Sequence, residues 1–140
     1  MERTKRENNK RLMKYTIEVP PVAITSRRGE KRRVPHSPNM ILKMHWGNKK
    51  RWKDAWQESV YWALKEAGVP LLKNPKITFK LYSYKTMDRD NAFGSIKPLL
   101  DGITNAGVIE DDSNKHCTVE VEQIKVNKIN EGKVIIEIEI

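Results

Sequence analysis

The chain has 140 residues, of which 38% are hydrophobic and 32% charged, a size that fits one ordinary domain. Its apolar residues occur in short periodic runs, which argues against wholesale disorder, and none approaches the ~20 residues needed to span a bilayer. A single cysteine, Cys117, excludes an internal disulfide, and the charged N-terminus has no apolar segment typical of a secretory signal. We therefore expect a cytoplasmic protein.

The charge is unevenly distributed along the chain, whose formal net charge is +9. Residues 1–53 contain 16 Lys and Arg against four Asp and Glu, whereas residues 54–140 contain 11 against 14. A basic first half is suited to a polyanion, because cationic side chains bind phosphates and release counterions. Charge alone is equally compatible with an ordinary, highly charged surface.

The first part of the chain combines one predicted strand with long basic segments. Residues 1–13 are rich in Lys and Arg and predict a basic flexible arm, with a frayed helix as the alternative. The alternation over Lys14–Val19 predicts a strand, which Pro20 and Pro21 end because proline cannot donate to a ladder. Residues 22–50 predict a long basic loop or a weak hairpin.

The middle of the chain predicts helices around one strand. Residues 48–67 predict the clearest helix, because apolar residues recur there at helical spacing: Trp52, Trp56, Val60, Ala63 and Ala67. Gly68 follows directly and is predicted to be the C′ residue that ends this helix. Alternation predicts a strand over Lys76–Tyr84. Residues 91–106 are helical in pattern, and Pro98 favours a fresh helix start near Lys97.

The last part predicts two strands, Thr118–Lys128 and Lys133–Ile140, joined as a hairpin through residues 130–132. The order of elements predicts a single α+β domain. In it, two main helices pack on one face of a mixed sheet of about four to five strands.

Carboxylates cluster where the Lys76–Tyr84 strand meets the following helix. Asp88 and Asp90 are two residues apart, so in extended chain both side chains point to the same side. Residues 110–112 (E-D-D) follow about twenty residues later in the chain, after the predicted helix, and could add a third carboxylate to Asp88 and Asp90. Oxygen ligands of this kind suit Mg²⁺ or Mn²⁺. The alternative is structural, since Asp90 or Asn91 could cap a helix and residues 110–112 could form a solvated turn.

The segments Asp88–Asn91 (D-R-D-N) and Lys97–Asp112 (K-P-L-L-D-G-I-T-N-A-G-V-I-E-D-D) resemble the central signature of RusA-type Holliday junction resolvases. That family has D-x-D-N, a helix with a basic residue and an L-D-G/A-L pattern, then A-G-hydrophobic-x-x-D-D. Ser37–Asn39 and Lys43–Trp46 are similar to segments of its phage members. With the flanking strands, the resemblance covers most of residues 14–140, which it identifies as a RusA-like endonuclease domain.

The resemblance implies a small homodimeric endonuclease, dependent on Mg²⁺ with Mn²⁺ as an alternative, that nicks four-way DNA junctions symmetrically. Asp88, Asp90 and Asp112 match the family's metal-binding catalytic carboxylates, with Asp111 as the alternative to Asp112. The implied setting is recombination or repair at the nucleoid of a bacterial or phage-infected cell.

Lys97 matches the family's functionally important lysine, four residues before Asp101, and would steady charge on the scissile phosphate. The spacing from Asp90 to Lys97 is longer than in the best-known member of that family, as if a few residues around Phe93–Ser95 were inserted. Asp101 lies within an apolar helical stretch, so we expect it to be a structural partner.

The remaining candidates concern DNA contacts. The basic residues most suited to phosphate contacts are Arg27, Arg28, Arg32, Arg33, Lys49, Lys50 and Arg51. His36, His45 and His116 are too scattered to form a zinc site, and Cys117 is expected to be buried and not nucleophilic. The competing hypothesis is a non-catalytic phage DNA-binding or recombination accessory protein with the same fold.

Overall fold

The computed structural model describes residues 14–20, 23–25, 31–33, 46–84, 86, 88–111, 113, 115–128 and 131–140. The predicted arm at residues 1–13 therefore lies outside the described residues. Within them, the elements in chain order are β1 (Lys14–Val19), β2 (Ala23–Thr25), β3 (Lys31–Arg33), α1 (Trp46–Ala67), β4 (Lys76–Ser83), α2 (Arg89–Ser95), α3 (Lys97–Asn105), β5 (Thr118–Lys125) and β6 (Lys133–Glu139).

A four-stranded mixed sheet in the order β1-β6-β4-β5 forms the centre of the domain. Strand β6 is antiparallel to both β1 and β4, and β4 is parallel to β5. β2 and β3 pair antiparallel as a separate two-stranded sheet, so the basic region contains a short hairpin. The predicted single α+β domain with a mixed sheet is confirmed.

The prediction of a hairpin between the last two strands is wrong, because β4 lies between β5 and β6 in the sheet. The side chains explain the order. Val134, Ile136 and Ile138 of β6 are fully buried, as suits an interior strand. In β5, Glu120 and Glu122 alternate with half-buried residues, and charged side chains are typical of an edge strand.

The hydrophobic core covers one face of the sheet. Alternate residues of β4, namely Ile77, Phe79 and Leu81, are buried beside the apolar face of β6. From α1, Trp52 and Trp56 join the same core, with parallel rings whose centroids are 6.0 Å apart. The opposite face of the sheet carries lysine–glutamate ion pairs instead, so the core is one-sided.

Helix α1 ends where its sequence predicts and packs closely against α3. Gly68 has φ of +69°, the left-handed conformation expected at a helix C′ position, and its N–H donates to the Lys65 carbonyl at 3.1 Å. A Cβ on Gly102 of α3 would lie 2.7 Å from the Gln57 carbonyl oxygen of α1. Only glycine therefore permits this helix–helix contact without a shift.

The helical region after β4 is divided into α2 and α3 by Ile96, as Pro98 predicts. Ile96 is the N-cap of α3, and Pro98 lies in the first turn. Backbone N–H groups in the first turn have no acceptor within the helix, so proline costs no helical hydrogen bond at this position. The Leu100 N–H donates to the Ile96 carbonyl at 2.9 Å, so the new helix begins there.

Across the described part of the chain, no helix is both long enough and apolar enough to cross a membrane.

Candidate active site

Asp88 and Asp90 lie at the junction between β4 and α2. Asp88 occupies the N-cap position, and its carbonyl accepts a hydrogen bond from the Ala92 N–H at 2.9 Å. Its carboxylate makes no capping hydrogen bond, so the helix does not use this side chain as a cap. Asp90 lies in the first turn, and both side chains are exposed. The two carboxylates therefore face solvent, where a cation or a polar ligand can reach them.

Lys97 begins α3, and its Nζ lies 3.2 Å from Oδ1 of Asp101. The Lys97 side chain is 59% exposed and the Asp101 side chain is 43% exposed. Asp101 is therefore an ion-pair partner of Lys97, which agrees with the structural role expected from the sequence. The pair places one cation and one anion on the surface a single helical turn apart.

The segment between α3 and β5 contains an acidic loop, residues 110–116. The Ser113 backbone N–H donates to Asp111 Oδ1 at 2.8 Å. Hydrogen bonds from the side chain and backbone of Ser113 lower the pKa of Asp111 below its usual value of 3.8, with smaller contributions from His116 and Lys115. Asp111 is exposed, yet its carboxylate is already engaged by neighbouring donors.

The structure does not assemble these carboxylates into one group. Among the residues described, no three His, Cys, Asp or Glu side chains are arranged so that they could hold a metal ion, so Asp88 and Asp90 form no such group with Asp111. Asp112, the third predicted ligand, lies outside the described residues. The Asp88, Asp90 and Asp112 set stays a prediction.

The sheet topology shows where the chain leaves β4 and where it enters β5. Since β4 and β5 are parallel and in register from Lys76↔Thr118 to Ser83↔Lys125, the chain leaves β4 at one end of these strands and enters β5 at the opposite end. The Thr118 N–H donates to the Pro75 carbonyl at 3.0 Å, beside the start of β4. Helices α2 and α3 lie in the connection between these two strand ends.

The predicted phosphate-contact residues are only partly described. Lys50 and Arg51 are exposed on the first turns of α1, which has no acidic residue in its first turn. Arg32 and Arg33 belong to β3 and Lys49 to α1, but the structure describes only their backbone. Arg27 and Arg28 lie outside the described residues. Cationic side chains at the positive end of the α1 dipole raise the local positive potential.

Sequence reasoning missed two features. The sequence indicates no partner for His116, yet its ring contacts Glu110 and Asp111, at 3.5 and 3.4 Å. A shallow depression of about 250 Å³ lies elsewhere, between α1 and α3, lined by Asp54, Gln57, Glu58, Tyr61 and Asn105. The spacing of three and four residues within 54–61 could have indicated that the α1 residues lining this depression share one face of the helix. No local sequence pattern indicates the contacts of His116.

A scan against models of protein families finds no match to this chain, and a search of curated proteins also finds none.

Proposed function

We propose that the chain is a RusA-like, Mg²⁺-dependent endonuclease that resolves four-way DNA junctions by paired, symmetric nicks. One observation carries the proposal. The D-R-D-N motif coincides with two exposed carboxylates, Asp88 and Asp90, at a strand–helix junction, and the motif lysine, Lys97, is exposed at the start of the next helix.

The donor set fits the proposed ion, because carboxylate oxygens are the ligands that Mg²⁺ prefers. Asp88 and Asp90, with Asp112 from the acidic loop, would hold it. A Mg²⁺ ion held there would supply activation of a water molecule and charge stabilisation at the leaving oxygen of a phosphodiester. The ammonium of Lys97 binds a phosphate oxygen and stabilises the charge that develops there.

The basic first half of the chain supplies the DNA contacts. Lys50 and Arg51 on α1 contact phosphates. Arg27, Arg28, Arg32, Arg33 and Lys49 are further candidates for such contacts. Two nicks at symmetric positions of a junction require two active sites, which an isologous homodimer provides.

A cleavage assay tests the proposal. Purified protein is incubated with a synthetic four-way junction or a matched linear duplex, in Mg²⁺ or in EDTA. We expect symmetric nicks on the junction alone and only with Mg²⁺. Asp88→Asn and Asp90→Asn should abolish cleavage and keep or tighten junction binding, because a negative charge near phosphate is removed. Glu66→Gln, which neutralises an exposed carboxylate at the far end of α1, is the matched control.

The competing function gives a different result. A DNA-binding accessory protein binds the junction without cutting it under any divalent metal, and Mg²⁺ weakens its binding by screening. Wild-type cleavage by either aspartate variant would instead show that the active site lies elsewhere.

A further inference from the structure

Helix α2 buries its small residues and exposes its aromatic one. Ala92 and Ser95 are buried, and the Ser95 hydroxyl donates to the Ala92 carbonyl at 2.7 Å. Phe93 lies between them in the sequence, and its side chain is 41% exposed. A surface helix normally turns its apolar side chains toward the core. Packing of the core therefore does not account for an aromatic residue at this position.

Phe93 shares the surface of α2 with the D-R-D-N motif. On a helix, residues three and four apart have Cβ atoms about 5–6 Å from each other, so Phe93 is a neighbour of both Asp90 and Arg89. The side chains of Asp90 and Arg89 are exposed as well. A molecule that reaches the Asp90 carboxylate from solvent therefore also comes within reach of the Phe93 ring.

Cationic side chains precede and follow Phe93 along the chain. Arg89 lies one helical turn before it in α2, and Lys97 follows at the start of α3 with an exposed side chain. Among the described residues, no atom lies within 4 Å of a Cβ placed on Gly94, so the surface next to Phe93 is open. Proteins bind unstacked bases with this combination, in which cations bind phosphates and an aromatic ring stacks on the base.

A second exposed aromatic side chain lies at the same end of the sheet. Tyr84 directly follows β4 and is 44% exposed, four residues before Asp88. Lys125, which is exposed at the end of β5, is in register with Ser83 at the end of β4. The strand end that leads into the D-R-D-N motif therefore also carries an aromatic ring and a cation.

We propose that Phe93 is a specificity-determining residue, which stacks on the face of a nucleobase left exposed at the branch point of the DNA, beside Asp88 and Asp90. In a continuous duplex, neighbouring bases cover both faces of each base, whereas a branch point interrupts the stack. Phosphate contacts position a protein on DNA but do not read the bases. The ring therefore discriminates a junction from a duplex. The branched substrate rests on the proposed function, but the stacking contact is measured without cleavage.

The first measurement is equilibrium binding by fluorescence anisotropy in EDTA, with a labelled four-way junction and a linear duplex of the same arm sequence. Phe93→Ala should weaken junction binding roughly tenfold, as loss of one stacked base commonly does, and leave duplex binding unchanged. Phe93→Trp should retain the junction affinity. Phe93→Leu, which is apolar but not aromatic, should lose it as alanine does. Leu71→Ala, which removes an exposed apolar side chain before the opposite end of β4, is the matched control.

The second measurement is the salt dependence of junction binding. Phe93→Ala should lower the affinity without changing the slope of log affinity against log salt concentration, because the variant loses no cation. Lys97→Ala should reduce the magnitude of that slope by about 0.9, the value for one phosphate contact. Thermal unfolding of Phe93→Leu should match that of Leu71→Ala, which separates a loss of stacking from a loss of folding.

The outcomes are distinguishable. Equal weakening of junction and duplex binding by Phe93→Ala would overturn the stacking role, and so would wild-type junction affinity in Phe93→Leu. A wild-type protein that binds both DNAs equally would overturn recognition of the branch point. If the wild type prefers the junction but never cuts it in Mg²⁺, the proposed nuclease is overturned, and the Phe93 variants in EDTA still decide the stacking contact.

Discussion

Lys97 and Asp101 form an ion pair one turn apart on α3, with Nζ 3.2 Å from Oδ1. In a helix, a lysine placed four residues before an acid is the less favourable orientation, and exposed pairs of this kind contribute less than about 0.5 kcal/mol. The pair therefore contributes little to stability. Its effect is to restrict where the Lys97 ammonium lies on a surface proposed to bind DNA.

Asp101→Asn should reduce junction cleavage while the thermal unfolding midpoint stays close to that of the wild type. The loss should be smaller than that of Lys97→Ala, which removes the cation itself and should cost roughly a hundredfold in rate. Cleavage rates and thermal melts of the two variants check this. If Asp101→Asn lost more cleavage activity than Lys97→Ala, this would contradict the prediction that Asp101 acts on cleavage through Lys97.

Gly102→Ala should destabilise the domain by about 1–3 kcal/mol, the usual cost of overpacking. Its Cβ would lie 2.7 Å from the Gln57 carbonyl oxygen and 2.9 Å from Val60 Cβ, so α1 and α3 must separate. Gly94→Ala is the matched control, since a Cβ there meets nothing within 4 Å. That variant should be neutral or slightly stabilising, because alanine is the better helix former. Urea denaturation of both variants measures the difference.

Glu137 lies between two lysines on the charged face of the sheet. Its carboxylate is 2.8 Å from Lys80 Nζ and 3.0 Å from Lys14 Nζ, and its side chain is only 13% exposed. Hydrogen bonds from Lys80 first and then Lys14 lower the pKa of Glu137 below its usual value of 4.5. The ion pairs therefore stabilise the fold fully above about pH 4.5, and that stabilisation is lost as the pH falls through the lowered folded-state pKa.

Glu137→Gln should be less stable than the wild type at pH 7, and the difference should disappear in strong acid. Denaturant unfolding at a series of pH values from about 7 down to about 2 measures it. Glu139→Gln should show a smaller effect, because Glu139 is more exposed and lies 3.5 Å from Lys14. An equal loss at every pH would show that packing, rather than charge, causes the effect.

Ser113→Ala should raise the pKa of Asp111 toward its usual value of 3.8, because the Ser113 side chain is the largest cause of its lowering. Because its folded-state pKa is lowered, the Asp111 carboxylate stabilises the fold above about pH 3.8, and this stabilisation is lost as the pH falls through the folded-state pKa. In the variant, this contribution to stability becomes smaller. An NMR titration of the Asp111 side-chain carbon measures the shift. Ser59→Ala removes a hydroxyl that donates to the Pro20 carbonyl and should leave Asp111 unchanged.

Local patterns in the sequence were sufficient to place several elements. β1 occupies Lys14–Val19 as predicted, α1 ends before Gly68, and a new helix begins at Lys97. Each depends on neighbours within a few residues: alternation, a left-handed C′ glycine and a proline in a first turn. The same local geometry placed Asp88 and Asp90 at a strand–helix junction and Lys97 one turn before Asp101.

Strand pairing and the surroundings of the acidic loop were decided only by the tertiary structure. The short connection between β5 and β6 predicts a hairpin, yet the apolar β6 enters the sheet between β1 and β4. The contacts of His116 with Glu110 and Asp111 depend on how the loop folds back before β5. The sequence by itself therefore determined where β1 lies, where α1 ends and where α3 begins, because those signals act over one or two turns. Which strands are neighbours, and which side chains face the acidic loop, depends on burial of the whole core and becomes definite only when the chain is folded.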